Sequence, residues 1–174
     1  MQKCDNIEFI KVTDETSIDI VEQLAKEIWG EHYPAIIGDK QVDYMLKKYQ
    51  SKKAISKQIK KGFEYYLIKH NNKNLGYFSI FPEKKKNELF LSKIYLKLDK
   101  RKKGYGKKII GYIINIAKQI ELNKISLTVN KNNITAIKAY KKLGFKNVGS
   151  TIKNIGNGFV MDDYKMEMNL PASI

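Results

Sequence analysis

Residues 101–106 read Arg-Lys-Lys-Gly-Tyr-Gly, and the fold of this chain can be inferred outward from them. The stretch follows an apolar run at 89–96 and precedes a pattern of helical period at 104–122. A helix start leaves backbone N–H groups without partners and carries about half a positive charge. Because the two glycines have no Cβ atom, an anion such as a phosphate can approach the backbone closely. The stretch therefore predicts a strand, an anion-binding turn and a helix.

A second informative segment, residues 130–145, follows a β-type run at 125–129. It predicts a polar turn and then a helix that ends at Gly144 as a C-terminal cap. Asn133, Ala136 and Tyr140 are spaced three and four residues apart, so they share one face of that helix. The small Ala136 leaves room for a ligand along this face, and Tyr140 adds a phenol to it.

At these two segments the chain resembles the GNAT superfamily of N-acetyltransferases. The resemblance rests on the strand, the Arg-x-x-Gly-x-Gly turn and the Asn-x-x-Ala-x-x-x-Tyr-x-x-x-Gly-Phe helix, with one long helix and one strand between the motifs. It implies an enzyme that moves the acetyl group of acetyl-CoA to an amine. It also implies a mixed α/β fold in the order β-α-α-β-β-β-α-β-α-β-β, a single layer of sheet flanked by helices.

The pattern along the whole chain agrees with that order. A first strand is predicted at 7–12, followed by a helix that Thr16 or Ser17 caps and that runs to about Trp29. A loop is predicted at 30–39. The remaining predicted strands are 63–70, 75–81, 88–96, 125–129, 145–155 and 159–169, and the remaining helices include 41–49, 51–61 and 104–122.

Length and composition predict one domain over residues 1–174, because nothing in the chain has the composition of a linker. The single cysteine, Cys4, cannot form an internal disulfide, which favours a reducing cytoplasm. We find no signal pattern and no apolar run of the length that a membrane span requires. The prediction is therefore a cytoplasmic protein that does not enter a membrane.

The net charge of +15 raises the question of nucleic acid binding. Arg101 is the one arginine among 33 basic residues, whereas base recognition favours arginine. Since the lysines are spread along the whole chain, we interpret most of this charge as solvated surface. The composition thus argues against nucleic acid as the partner, whereas the small-molecule amine is what the resemblance implies. A homodimer paired through the final hairpin remains open.

The resemblance implies the residues that hold acetyl-CoA. Backbone groups of Ile94, Tyr95 and Leu96 would hold the pantetheine arm and the thioester, and Asn133 and Lys142 would contact the cofactor from the second motif. The pyrophosphate would bind at Arg101, Lys102, Lys103, Gly104, Tyr105, Gly106 and Lys107. CoA carries about four negative charges, which suits a turn rich in lysine. No metal is expected.

The resemblance also implies the catalytic groups. Tyr140 matches the tyrosine that protonates the leaving thiolate, and a phenol with a pKa near 10 stays protonated at neutral pH. Glu88 is the preferred general base because relatives carry a glutamate on that strand. His32 and a chain of water molecules are the alternatives.

The resemblance implies an acceptor site beside the first helices, here at Trp29, Glu31, His32, Tyr33 and Tyr44. Aromatic rings and acids can recognise a cation. The first fifty residues resemble the PaiA-like polyamine acetyltransferase subgroup, which implies spermidine or spermine as the acceptor. The alternatives are acetylation of a protein at its N-terminus or a lysine, and a non-catalytic acetyl-CoA-binding or nucleic-acid-associated module. In a simpler interpretation, the rings only pack the helix pair.

Overall fold

The computed structural model describes residues 6–172, so Cys4 lies outside the described part of the chain. The chain divides into two compact units. The first comprises the residues up to Phe81 together with Lys93–Arg101, and the second comprises Pro82–Ser92 and the residues from Lys102 onward. One strand, Glu88–Leu96, therefore contributes its first half to the second unit and its second half to the first.

The elements, in chain order, are β1 (Ile7–Lys11), α1 (Glu15–His32), α2 (Pro34–Ile37), α3 (Asp39–Tyr49), α4 (Lys52–Lys60), β2 (Glu64–His70), β3 (Lys73–Glu83), β4 (Glu88–Leu96), α5 (Tyr105–Gln119), β5 (Lys124–Asn130), α6 (Ile134–Leu143), β6 (Lys146–Gly156) and β7 (Phe159–Asn169). The mixed α/β class predicted from the sequence is confirmed. None of the helices in the described part of the chain is long and apolar enough to span a membrane.

The predicted order needs a correction between the first two strands, where the structure has four helices. The loop predicted at 30–39 contains the end of α1 and the short helix α2. Pro34 starts α2, where its fixed φ and missing N–H are tolerated. Gly38, with φ +83°, then separates α2 from α3. Local turn chemistry, which the hydrophobic period does not report, explains why α2 was not predicted, whereas α4 coincides with the helix predicted at 51–61.

In the first unit, β1, β2, β3 and the second half of β4 are neighbours in that order. β1 and β2 pair antiparallel, as do β2 and β3. A capping box between Asp14 and Ser17 starts α1, whose apolar side is buried along its length. The core is built from fully buried side chains of the helices and strands, among them Ile28, Ile55, Tyr65, Leu67, Ile68, Tyr77 and Phe78.

Gly76 in β3 marks an unusually close approach between strands. A Cβ atom at this position would lie 1.9 Å from the carbonyl oxygen of Tyr95 and 3.0 Å from the Cα atom of Leu96. Both are backbone atoms of β4, so they cannot move aside as a flexible side chain does. A residue without a side chain is therefore required where β3 meets the second half of β4.

A buried lysine interrupts the apolar core of the first unit. Lys93 in β4 is 7% exposed, and its Nζ donates to the carbonyl oxygen of Tyr49 at 3.0 Å and to Oε1 of Gln58 at 2.6 Å. It also bonds to the hydroxyl of Tyr65. Burial lowers the pKa of Lys93 to about 7. Among the described residues, no carboxylate forms an ion pair with it.

The stability of the protein should rise with pH above neutrality because of Lys93. The pKa of Lys93 is about 7 in the folded chain and 10.5 in the unfolded chain. Between pH 7 and pH 10.5 the unfolded chain therefore binds more protons than the folded chain. Stability then increases from about pH 7 to about pH 10 and levels off below pH 7. Urea unfolding across this range should show the rise, and Lys93→Met should flatten it. An equal slope in both proteins would contradict the assignment.

In the second unit, the first half of β4, β5, β7 and β6 are neighbours in that order. β4 pairs parallel with β5, and β7 pairs antiparallel with both β5 and β6. The core combines the apolar stripe of α5 with the inner side chains of the strands, including Ile109, Ile113, Ile125, Leu127 and Met166. β6 is the edge strand, and nearly all its side chains are exposed.

Candidate functional site

The start of α5 has the features of an anion-binding site. Gly104, at φ +81°, is the N-cap, and no side chain caps the helix. The first turn contains no acidic residue, whereas Lys102, Lys103 and Lys107 are exposed around it. The first backbone N–H groups of a helix have no partner within it, and the helix dipole attracts negative charge there. Backbone donors and lysines thus offer this end of α5 to an anion.

Arg101 has a more specific place than the sequence indicated. Its side chain is half-buried, and its Nε donates to the carbonyl oxygen of Leu96 at 3.1 Å. The predicted cofactor residues Leu96 and Arg101 therefore bond to each other, and this bond ties the end of β4 to the segment that leads into the turn. The backbone N–H of Lys97 also donates to the carbonyl oxygen of Leu75 at 2.9 Å.

Tyr95 lies against two of the predicted acceptor residues, Trp29 and Tyr33, within the first unit. Its ring lies 5.5 Å from Trp29, 6.1 Å from Tyr33 and 5.4 Å from Tyr77, measured between centroids. Trp29 stacks on Tyr33 at 4.3 Å, and His32 meets Tyr33 edge-on at 5.0 Å. We call these rings of Trp29, His32, Tyr33, Tyr77 and Tyr95 the aromatic cluster. The side chains of Tyr77 and Tyr95 were not predicted from the sequence as part of this group. Alternation along β4 does place the side chains of Lys93 and Tyr95 on one face of the strand.

The other two predicted acceptor residues are Glu31, which lines a cleft, and Tyr44, which lies in α3. Glu31 lines a cleft of about 490 Å³ in the first unit, together with Glu27 and Asp99 and with Lys73, Lys97 and Lys100. Tyr44 contacts Lys48, whose Nζ lies 3.3 Å from the phenol oxygen. The structure thus associates Glu31 with acids and lysines, and Tyr44 with the next turn of its own helix.

The second motif folds as a helix with a buried cap. Asn133 is 5% exposed, and its Oδ1 accepts from the N–H of Ala136 at 3.4 Å, so its side chain serves as the N-cap of α6. Tyr140 is half-buried, and its ring meets Phe145 edge-on at 5.7 Å. Lys142 is exposed in the last turn. α6 therefore carries a partly accessible phenol and a surface lysine.

Glu88 is the first residue of β4 and is almost fully buried. Its Oε2 lies 3.3 Å from Nζ of Lys124, which also lies 3.2 Å from Oε1 of Glu167. Hydrogen bonds to Glu167 and then to Glu88 raise the pKa of Lys124. Glu88 thus takes part in an ion-pair network of the second unit, and it precedes Ile94 by six residues. Its role as general base stays a prediction.

A second carboxylate of this unit was not singled out by the sequence. Asp163 in β7 is 5% exposed and pairs with Asn130, the last residue of β5. Burial, and then the charge of Asp162, raises the pKa of Asp163 to about 6, although a bond to Thr128 opposes this. A carboxylate that titrates near neutrality can accept a proton at physiological pH. Only its burial, which the sequence does not report, distinguishes it.

Comparison with known proteins identifies the family of the chain. The profile of the acetyltransferase (GNAT) family matches residues 21–145. No curated protein sequence is significantly similar to the chain. Among solved structures, PaiA N-acetyltransferase from Thermoplasma acidophilum in complex with coenzyme A is 20% identical, with a TM-score of 0.77 over 94% of this chain and 99% of that one.

Two further structures extend the range of activities among similar folds. A spermidine N-acetyltransferase SpeG chimera from Vibrio cholerae and hSSAT is 16% identical, with a TM-score of 0.69 over 94% of this chain and 95% of that one. A ribosomal-protein alanine N-acetyltransferase from Escherichia coli is 15% identical, with a TM-score of 0.69 over 97% and 96%. At these identities the likeness is one of fold.

Proposed function

Because the chain belongs to the acetyltransferase (GNAT) family, we propose that it transfers the acetyl group of acetyl-CoA to a primary amine, with a polyamine such as spermidine or spermine as the acceptor. The observation that carries the cofactor part is the start of α5, which is basic, free of acids and capped by a glycine. The acceptor part is supported by the aromatic cluster and by the name of one similar structure, a spermidine N-acetyltransferase chimera.

The chain's own residues suit the pyrophosphate of CoA. In the second unit, the backbone of 102–107 would donate to the phosphate oxygens, because Gly104 leaves the approach open and the exposed lysines supply charge. In the first unit, backbone groups of Ile94 and Tyr95 would hold the pantetheine arm. Asn133 would act through the helix start that it caps, and Lys142 would reach toward a phosphate from the surface.

Replacing Gly104 with alanine should weaken acetyl-CoA binding. The residue has φ +81° and open space around its Cα atom, so a Cβ atom strains the turn and occupies the approach to the backbone donors. We expect Gly104→Ala to raise the Kd for acetyl-CoA about tenfold, equivalent to about 1.4 kcal/mol. Isothermal titration calorimetry measures this directly.

Gly38 provides a matched control for that substitution. It also caps a helix, has φ +83° and has open space around it, but it lies at the start of α3. Gly38→Ala should lower the melting temperature, because φ +83° with ψ 156° is a conformation that glycine alone adopts readily, and it should leave the Kd for acetyl-CoA unchanged. Equal Kd values for wild type and Gly104→Ala would reject the assignment of this turn to the pyrophosphate of CoA.

The acceptor must reach the thioester as a neutral amine and lose a proton on attack. The rings of Tyr33 and Tyr95 can hold an ammonium group by cation–π contact, and the carboxylates of Glu27 and Glu31 can hold a second one. Tyr140 would donate its phenol proton to the departing thiolate. Glu88 is kept as the proposed proton acceptor, with His32 or water as the alternatives.

The deciding experiment measures thiol release from acetyl-CoA with a panel of amines. The panel contains spermidine, spermine, a diamine, an aminoglycoside, amino-acid amides and a peptide with a free N-terminal alanine. Turnover that is selective for the polyamines supports the proposal. Turnover with the peptide alone would favour protein acetylation, as the name of the ribosomal-protein alanine N-acetyltransferase suggests for that relative. Binding of acetyl-CoA without turnover of any amine would favour a non-catalytic module.

A further inference from the structure

Lys93 bonds to groups that are already joined to one another. The hydroxyl of Tyr65 donates to Oε1 of Gln58 at 2.5 Å, and Nε2 of Gln58 donates to the carbonyl oxygen of Tyr49 at 3.0 Å. These bonds connect β2, α4 and the end of α3. Lys93 adds β4 to the set, because its Nζ bonds to all three partners. We call Lys93, Tyr49, Gln58 and Tyr65 the lysine network.

The lysine network is connected to the aromatic cluster in two ways. Lys93 precedes Tyr95 by two residues in β4, so both side chains leave the same face of the strand. Gln50 follows Tyr49, and its Oε1 accepts from the hydroxyl of Tyr77 at 2.8 Å. The ring of Tyr77 lies 5.4 Å from that of Tyr95. A displacement of β4 relative to α3 would therefore also displace Tyr95 within the cluster.

A buried lysine without a carboxylate partner is costly in an apolar core. Removing a charge from water costs free energy that hydrogen bonds only partly recover, and an apolar side chain of similar size often serves stability better. Without Lys93, its three partners would still be bonded to one another. The stability of the helices thus does not explain the lysine, whereas the attachment of β4 to them does.

We propose that Lys93 is a positioning residue that ties the second half of β4 to the α3–α4 junction and thereby fixes Tyr95 for the amine acceptor. The inference rests on the proposed function, because it assigns the aromatic cluster to acceptor binding. It adds a buried residue, two positions before Tyr95 in β4, that does not touch the acceptor itself. Lys93 acts through β4, the strand that carries Tyr95.

Steady-state kinetics of Lys93→Met test the positioning role. Methionine fills similar space without charge or donors, so we expect the KM for the acceptor to rise about tenfold, as a misplaced binding group allows. Because backbone groups of Ile94 and Tyr95 are also proposed to hold the pantetheine arm, the KM for acetyl-CoA should rise too, but less than the KM for the acceptor, and the melting temperature should stay equal or rise. A lower melting temperature together with an equal rise in the KM for both substrates would show that Lys93 has only a structural role, and would overturn the proposal.

Amide hydrogen exchange tests the attachment without relying on activity. We expect exchange at 94–96 to be faster in Lys93→Met than in wild type, while exchange in α4 stays the same. Lys11→Met is the matched control, because Lys11 is a surface lysine that pairs with Glu64 at 3.4 Å in the same unit. Unchanged exchange at 94–96 would overturn the proposal.

The two readouts separate this inference from the proposed function. If wild type acetylates no amine but 94–96 exchanges faster in Lys93→Met, the proposed function fails and the attachment of β4 stands without a role in acceptor binding. If wild type acetylates a polyamine and Lys93→Met has the same acceptor KM, the proposed function stands and the positioning role is overturned.

Discussion

Tyr140→Phe should lower kcat about 100- to 1,000-fold, the size of effect that loss of a general acid produces. The substitution removes one oxygen atom and keeps the ring, which meets Phe145 edge-on at 5.7 Å, so the fold of α6 should not change. The affinity for acetyl-CoA should stay within about twofold, since the phenol acts on the leaving thiolate and not on the ground state. Thiol release and calorimetric titration measure the two quantities.

Tyr112→Phe is the control for this substitution. Tyr112 lies in α5 of the same unit, is also half-buried and has no assigned role. It should keep the kcat of wild type. The general-acid assignment fails if Tyr140→Phe also turns over at the wild-type rate.

Gly76→Ala should destabilise the protein by about 3 kcal/mol or more, or prevent it from folding, because overpacking against rigid backbone cannot relax locally. The added Cβ atom would lie 1.9 Å from the carbonyl oxygen of Tyr95, well inside contact distance, so β3 or β4 must move. Urea unfolding gives the free energy of unfolding, and the yield of folded protein gives the extreme case.

Gly111→Ala is the matched control, because Gly111 lies inside α5 and nothing is within 4 Å of the added Cβ atom. It should stabilise the protein by about 1 kcal/mol through its better helix propensity. If Gly76→Ala and Gly111→Ala both unfolded at the same urea concentration as wild type, this result would contradict the close approach of β4 to Gly76.

The sequence was sufficient for features that depend on neighbouring residues. The glycine turn and the long helix after it were visible as local patterns, and the mixed α/β class followed from the alternation of helical and strand periods. α2 was missed because four residues contain too little periodic signal to separate a short helix from a loop.

Features that depend on distant segments were not predictable. Arg101 was assigned to the cofactor by its position in the motif, and only the folded chain reveals its bond to Leu96. Tyr44 was grouped with Trp29 and Tyr33 as an acceptor residue, which stays a prediction, and only the folded chain shows its contact with Lys48. Lys93 read as one more surface lysine, since its burial depends on segments 28 to 44 residues earlier in the chain.

The bond from Arg101 to the end of β4 has a consequence for the entropy of ligand binding. The segment between them also closes on itself, because the N–H of Lys100 donates to the carbonyl oxygen of Lys97 at 2.9 Å. The chain that leads into the anion-binding turn is therefore already ordered before a ligand arrives. Ordering a residue's backbone costs about 1–2 kcal/mol. A ligand that meets this segment loses little of its interaction energy to freezing the chain, so a modest number of contacts can give useful affinity.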